Sequence, residues 1–259
     1  MPGLYGPRLL GESETTRLLS PSRMFWKDAV DTVLRRRTPF APRRKMWPPG
    51  VTDFGNDGRD QVNLMIRLGK LSPEARMIEF QCGIGLRACS LTDWFGPGAL
   101  YDGIDTNAEL TTWCDEAYKR RLDFEFSHHA GLDQPIDFPD ESRDFIVMWD
   151  LLPRISHAVI PNLLAESKRV MLPGGCLFVA AYLLDEGANA AMEEGRALID
   201  FSERDARGAT AADGTRAWDE EWLLDQIAEA GFKHVGIRHG LWSDRDEGRS
   251  QFDLLVARA

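Results

Sequence analysis

Short apolar runs alternate along this chain with longer stretches whose apolar residues recur every three or four positions. Strands are predicted at Met77–Phe80, Leu100–Ile104, Asp123–Ser127, Phe145–Trp149 and Cys176–Ala181. The most continuous of these suit strands covered on both faces, hence a parallel sheet with helices packed on either side. Helical spacing marks the intervals at residues 60–68, 86–94, 109–117 and 160–170, and an amphipathic stretch from Trp218 to Phe232 that Gly231 ends. His234–Arg238 and Phe252–Ala257 then predict two antiparallel strands that close the sheet. Before this body, Ser20 and Pro21 form a helix start for Phe25, Ala29, Val30, Val33 and Leu34, and Arg35, Arg36 and Arg37 close that helix. Prolines 39, 42, 48 and 49 break the chain into a strap carrying Met46 and Trp47. Residues 185–217 hold few large apolar groups and predict a lid or insertion. The expected division is an extension at 1–58 and one α/β domain at 59–259.

Chemistry concentrates where the first strand turns into its helix. In Glu79-Phe80-Gln81-Cys82-Gly83-Ile84-Gly85-Leu86-Arg87-Ala88 the glycines let backbone amides approach a ligand, and the new helix aims its positive end at it. Asp105, twenty positions after Gly85, ends the second strand, where a carboxylate accepts from ribose hydroxyls. Gly83-x-Gly85-x-x-Ala88 also satisfies a dinucleotide fingerprint. Glu79 argues instead for a cationic methionine end, which a carboxylate meets better than it meets a pyrophosphate.

Two further segments complete a pattern. One is Asp137-Phe138-Pro139-Asp140-Glu141-Ser142-Arg143-Asp144-Phe145, leading into Ile146–Asp150; the other is Arg169-Val170-Met171-Leu172-Pro173-Gly174-Gly175 before the fifth strand. In this order the segments resemble the class I S-adenosylmethionine-dependent methyltransferases, over roughly residues 70–185 with a looser echo in 218–258. The resemblance implies a Rossmann-like, doubly wound α/β fold with a mostly parallel seven-stranded sheet and an antiparallel last strand, and S-adenosylmethionine as cofactor. It implies a cofactor site made by Glu79, Gln81, Cys82, Gly83, Gly85, Asp105, Thr106, Ala130, Gly131, Asp150 and Leu151. Gln81 departs from the family's glycine and is costly if that position needs positive φ.

Composition narrows the partners. The net charge of −10 opposes non-specific attraction to nucleic acid, although the first 50 residues hold ten Lys/Arg against four Asp/Glu. That basic end favours a phosphate or carboxylate on the acceptor, so the expected partner is an anionic small molecule and not a nucleic acid. Cys82, Cys89, Cys114 and Cys176 show no metal spacing, and His128-His129 lacks further ligands, so no metal is expected. Without an apolar run of membrane length or a secretory leader, the expected location is cytoplasmic. His157, Tyr182 and Asp150 are the candidates for proton handling or acceptor positioning, with a saccharide or glycosylated hydroxyl as the preferred acceptor. Two other classes stay open: a non-catalytic binding protein on the same fold, and a nicotinamide-dependent oxidoreductase.

Overall fold

The computed structural model describes residues 51–259 except 52, 119–122, 130, 133 and 246–249. The helix and strap expected before residue 51 lie outside the described residues. The body opens with α1 (Phe54–Leu64), whose N-cap Asp53 accepts from the Asn56 amide at 3.2 Å. The helical spacing expected to run on to residue 68 widens into a π-helical turn, Met65–Gly69, which Lys70 ends in the left-handed conformation at φ 60°.

There follow β1 (Arg76–Phe80), α2 (Leu86–Trp94), β2 (Leu100–Asp105), α3 (Ala108–Tyr118), β3 (Asp123–His128), β4 (Arg143–Trp149), α4 (Ile160–Val170) and β5 (Met171–Ala181). The chain continues through β6 (Leu183–Leu184), α5 (Glu186–Glu193), β7 (Glu203–Asp205), β8 (Gly208–Thr210), β9 (Arg216–Asp219), α6 (Glu220–Glu229), β10 (Lys233–Arg238) and β11 (Asp253–Arg258).

Seven strands form one sheet in the order β3-β2-β1-β4-β5-β11-β10. β1 to β5 pair in parallel, and β11 runs antiparallel to both of its neighbours. Alternation along each buried strand feeds two apolar layers. Phe145, Val147 and Trp149 of β4 enter one with α1, α2 and α3; Ile146 and Met148 enter the other with α4 and α6. The order reverses between β1 and β4, so their carboxyl ends flank the crevice where a sheet of this topology takes its ligand.

Residues 183–219 fold into α5 and a second, four-stranded sheet ordered β6-β9-β8-β7. Buried Trp218 ties this sheet to the body by donating its Nε1–H to the Leu152 carbonyl at 2.9 Å. Trp218 was expected to open the last long helix but lies in β9. Asp219 accepts from the Trp222 amide at 2.9 Å and so caps the helix one residue later.

Candidate cofactor and acceptor site

The turn after β1 is built on left-handed backbone. Gln81, Gly83 and Gly85 have φ of 58°, 56° and 76°. For Gln81 this conformation costs roughly 1–2 kcal/mol, so the departure from glycine is a strained residue; its Nε2 lies 3.5 Å from Thr106 Oγ1. The two glycines do different work. A Cβ on Gly85 would stand 2.5 Å from the Tyr118 ring, whereas one on Gly83 would meet nothing within 4 Å among the described residues. Gly85 is a packing glycine, and Gly83 faces open space.

Asp105 closes the far side of that space. Its Oδ2 accepts from the Gly83 amide and its Oδ1 from the Asn107 amide, each at 2.8 Å. These bonds tie the end of β2 to the turn after β1. A carboxylate offers about four acceptor positions, so two remain. Thr106 is exposed beside it, and buried Cys82 sits beneath, its amide donating to the Ile104 carbonyl at 3.1 Å.

Glu79 has another set of partners. It is fully buried; Arg87 Nε donates to its Oε1 at 2.6 Å, and the Tyr101 hydroxyl donates to its Oε2 at 2.7 Å. Arg87 Nη2 adds a second contact to Oε1 at 2.5 Å, and Nη1 donates to Gln61 Oε1, also at 2.5 Å. Both oxygens of Glu79 are thus engaged by protein groups, and the guanidinium stands 5.8 Å above the Trp149 ring. Sequence reasoning missed Arg87, Tyr101 and Gln61. One signal was available: an acid buried at a strand end demands a cation, and Arg87 interrupts an apolar helix start.

After β3, the His129 amide donates to the Asp105 carbonyl at 2.9 Å, and the ring nitrogens face the Gly131 and Pro135 carbonyls at 2.6 and 3.2 Å. Gly131 is therefore held near the Asp105 side of the crevice, while Ala130 lies outside the described residues.

At the end of β4, Asp150 has φ 57° and its amide donates to the Ala180 carbonyl at 3.1 Å. Arg154 donates to Asp150 Oδ2 from Nε at 3.1 Å and from Nη2 at 2.6 Å. Burial pushes the Asp150 carboxyl up and Arg154 pulls it back. Tyr182, just past β5, is 5% exposed and packs its ring on Phe201, Trp242 and Phe252. Burial and the charge of Asp150 raise its hydroxyl well above the usual tyrosine value. Leu151 is buried behind Asp150. The structure thus brings Tyr182 and Asp150 together. His157 stands apart, half-buried in the turn before α4, with no hydrogen bond among the described residues joining it to either.

A third cluster lies farther along the same edge. Asp185, Glu220 and His239 bring one potential ligand atom each within 4.8 Å of one another. Arg245 Nη1, 2.7 Å from Asp185 Oδ2, already supplies a cation there.

A doubly wound sheet with an open glycine turn tied to an acid at the end of β2 defines a nucleoside-binding α/β protein. Residues 77–175 match the methyltransferase domain family. The chain is 28% identical over 130 residues to a tRNA N(3)-cytidine methyltransferase of Xenopus tropicalis, covering 48% of this chain and 38% of that protein. It is 32% identical over 104 residues to a probable phthiotriol/phenolphthiotriol dimycocerosates methyltransferase of Mycobacterium ulcerans, covering 39% and 36%. The chain thus spans little more than a third of the length of these relatives. A crystal structure of a SAM-dependent methyltransferase from Methanosarcina mazei superposes with a TM-score of 0.55 at 19% identity, covering 74% of this chain and 96% of that one. The fold is that of the class I S-adenosylmethionine-dependent methyltransferases, and residues 77–175 are similar to their methyltransferase domain. No helix among the described residues is long and apolar enough to cross a membrane.

Proposed function

We propose that this chain transfers a methyl group from S-adenosylmethionine to a small-molecule acceptor. The observation that carries the reading is the link between Gly83 and Asp105 beside open space. Asp105 has acceptor positions left for ribose hydroxyls, and the missing side chain at Gly83 leaves room for a nucleoside against the backbone. Thr106 and Gly131 flank the adenine side, and Asp150 and Leu151 the methionine side. Glu79 acts behind them: with Arg87 it fixes the turn from below instead of touching the ligand.

When bound, S-adenosylmethionine supplies an electrophilic methyl on a sulfonium. This chain's own residues hold the acceptor in line with that methyl, which is the larger part of the catalysis such a transfer needs. Tyr182, neutral at ordinary pH, donates a hydrogen bond to the acceptor. Asp150 takes the proton from an acceptor atom that starts protonated, and His157 serves only if the turn before α4 moves. The acceptor reading remains a saccharide or glycosylated metabolite, and the acidic balance of the chain argues against a nucleic acid.

The test is formation of S-adenosylhomocysteine with panels of sugars, acids and amines. Turnover with one class supports the proposal, and turnover on RNA alone would overturn the acceptor reading. A second reading, a non-catalytic protein that keeps the fold for binding, is favoured by one observation: strained Gln81 at the mouth of the turn. Binding of S-adenosylmethionine without turnover on any panel would support it. Binding of NAD or NADP in place of S-adenosylmethionine would point to an oxidoreductase.

A further inference from the structure

Beyond Tyr182 two strand ends and a loop meet, and strand register explains why. β6 and β9 pair in parallel, with Leu184 beside Asp219, so the residues that follow them, Asp185 and Glu220, emerge side by side. β10 and β11 pair antiparallel, with Arg238 beside Leu254, which sets His239 next to Asp253. Asp253 ties the two pairs together. It is buried and accepts from the Leu183 amide at 2.7 Å, the Gly240 amide at 2.7 Å and Trp242 Nε1 at 2.6 Å. No sequence spacing records this set, because its members come from distant segments.

The side chains converge as ligands do. Asp185, Glu220 and His239 each offer one atom, all within 4.8 Å of one another, and Asp185 Oδ2 stands 3.8 Å from His239 Nε2. Atoms bound to one Mn²⁺ or Zn²⁺ ion lie roughly 3–4.5 Å apart, so small side-chain rotations bring all three onto one ion. Two further observations point to a cation. Glu220 Oε2 is shut off from solvent and meets no hydrogen-bond donor among the described residues, a position that a carboxylate oxygen tolerates poorly unless something else satisfies it. His239 turns Nε2 toward Asp185 and Nδ1 toward Asp253 Oδ1, 3.7 Å away. A ligating imidazole puts one nitrogen on the metal and aims the other at a carboxylate or carbonyl, and a buried carboxylate stands behind this one. Arg245 does not fill the place. It donates to Asp185 Oδ2 from Nη1 at 2.7 Å and to Ser243 Oγ from Nε at 3.0 Å, while its Nη2 is enclosed without a hydrogen-bond partner among the described residues.

We propose that Asp185, Glu220 and His239 form a site for one divalent transition-metal ion, with Asp253 backing the imidazole and Arg245 competing for Asp185. Two carboxylates and one imidazole make a mixed oxygen and nitrogen set, which suits Mn²⁺ or Zn²⁺ better than Mg²⁺ or Ca²⁺, whose preferred ligands are oxygens. The ion joins the end of β6 and the starts of α5 and α6 to the chain after β10. Its role is to fasten residues 183–219 to the main sheet. The site stands apart from the turn that links Gly83 to Asp105 and goes beyond the methyltransferase reading, needing neither cofactor nor acceptor.

The experiment uses the full chain, labelled with ¹⁵N and stripped of metal with a chelator. Mn²⁺ alone is titrated; electron paramagnetic resonance counts the bound ions and amide broadening locates them. One saturable site is expected, with the amides of Asp185, Glu220 and Gly240 among the first to broaden. Zn²⁺ is expected to displace the Mn²⁺ where Mg²⁺ at equal concentration does not. Glu220→Gln and His239→Gln should each weaken Mn²⁺ at least about tenfold, since loss of even an outer partner of a ligand has that effect. Arg245→Met removes the competing cation and should tighten binding severalfold. The proposal is overturned if no site saturates, if broadening centres on other residues, if Mg²⁺ competes as well as Zn²⁺, if either ligand substitution leaves the affinity intact, or if Arg245→Met fails to tighten it. The broadening map needs no variant, so it decides even where a substitution unfolds the chain.

Discussion

The two ends of the crevice handle charge in opposite ways. On the β1–β2 side, Glu79, Arg87, Tyr101 and Gln61 form a closed network with no more than 4% exposure, every charge met by a partner. On the β4–β5 side, Asp150 and Arg154 pair nearer the surface, with side chains 21% and 48% exposed. A closed buried network resists change and fixes geometry, which suits the end proposed to hold the cofactor. A partly exposed pair is cheap to alter, which suits the end proposed to meet the acceptor.

The sharpest way to break this contrast is to unpair the buried side. Arg87→Met leaves Glu79 buried without its cation, with only the Tyr101 hydroxyl still donating to it, and should cost about 3–5 kcal/mol in denaturant-measured stability. Adding Glu79→Gln should restore much of that loss. The parallel change Arg154→Met should cost less, about 1 kcal/mol, because Arg154 is exposed and its pair with Asp150 is partly open to water. Equal losses at both positions would erase the distinction.

Smaller effects sharpen it. His239 sits beyond the acceptor end, where Asp253 first, then Asp185, raise its pKa. A raised folded value means that the protonated ring stabilises the fold. This contribution is complete below the unfolded value near 6.5 and is lost as pH rises through the higher folded value. Burial also raises Glu220, whose ionisation above about 4.5 works in the same direction. The melting temperature should therefore fall as pH is taken upward from about 6, and His239→Gln should flatten the slope. The smallest effect belongs to Gln81→Gly. Relief of left-handed strain, partly offset by glycine's unfolded-state entropy, should stabilise by about 0.5 kcal/mol, with cofactor affinity equal to or better than that of the unaltered chain.

Much of the first region was legible in the sequence, and little of the second. Strands β1, β2, β4 and β5 announce themselves because burial on both faces demands apolar runs, and Gly83 because its left-handed backbone suits glycine. α4 was read at its observed limits, Ile160–Val170. Glu79 was legible as a residue that matters but not in its partners, since Arg87 and Tyr101 reach it across a turn and a neighbouring strand, which no period records. The second sheet was illegible for a different reason. β7, β8 and β9 have three or four residues each, and every residue of β7 is exposed, so no alternation develops. Its tie to the body, Trp218 on the Leu152 carbonyl, joins positions far apart in the chain, which no period records.

The central proposal is that Asp105, braced by the Gly83 amide, holds one nucleoside. Calorimetric titration of S-adenosylmethionine into the unaltered chain and into Asp105→Ala tests it most directly. The account predicts one saturable site, weakened at least tenfold by the substitution while the fold survives. Absence of binding to the unaltered chain, or equal affinity in the two, would contradict it.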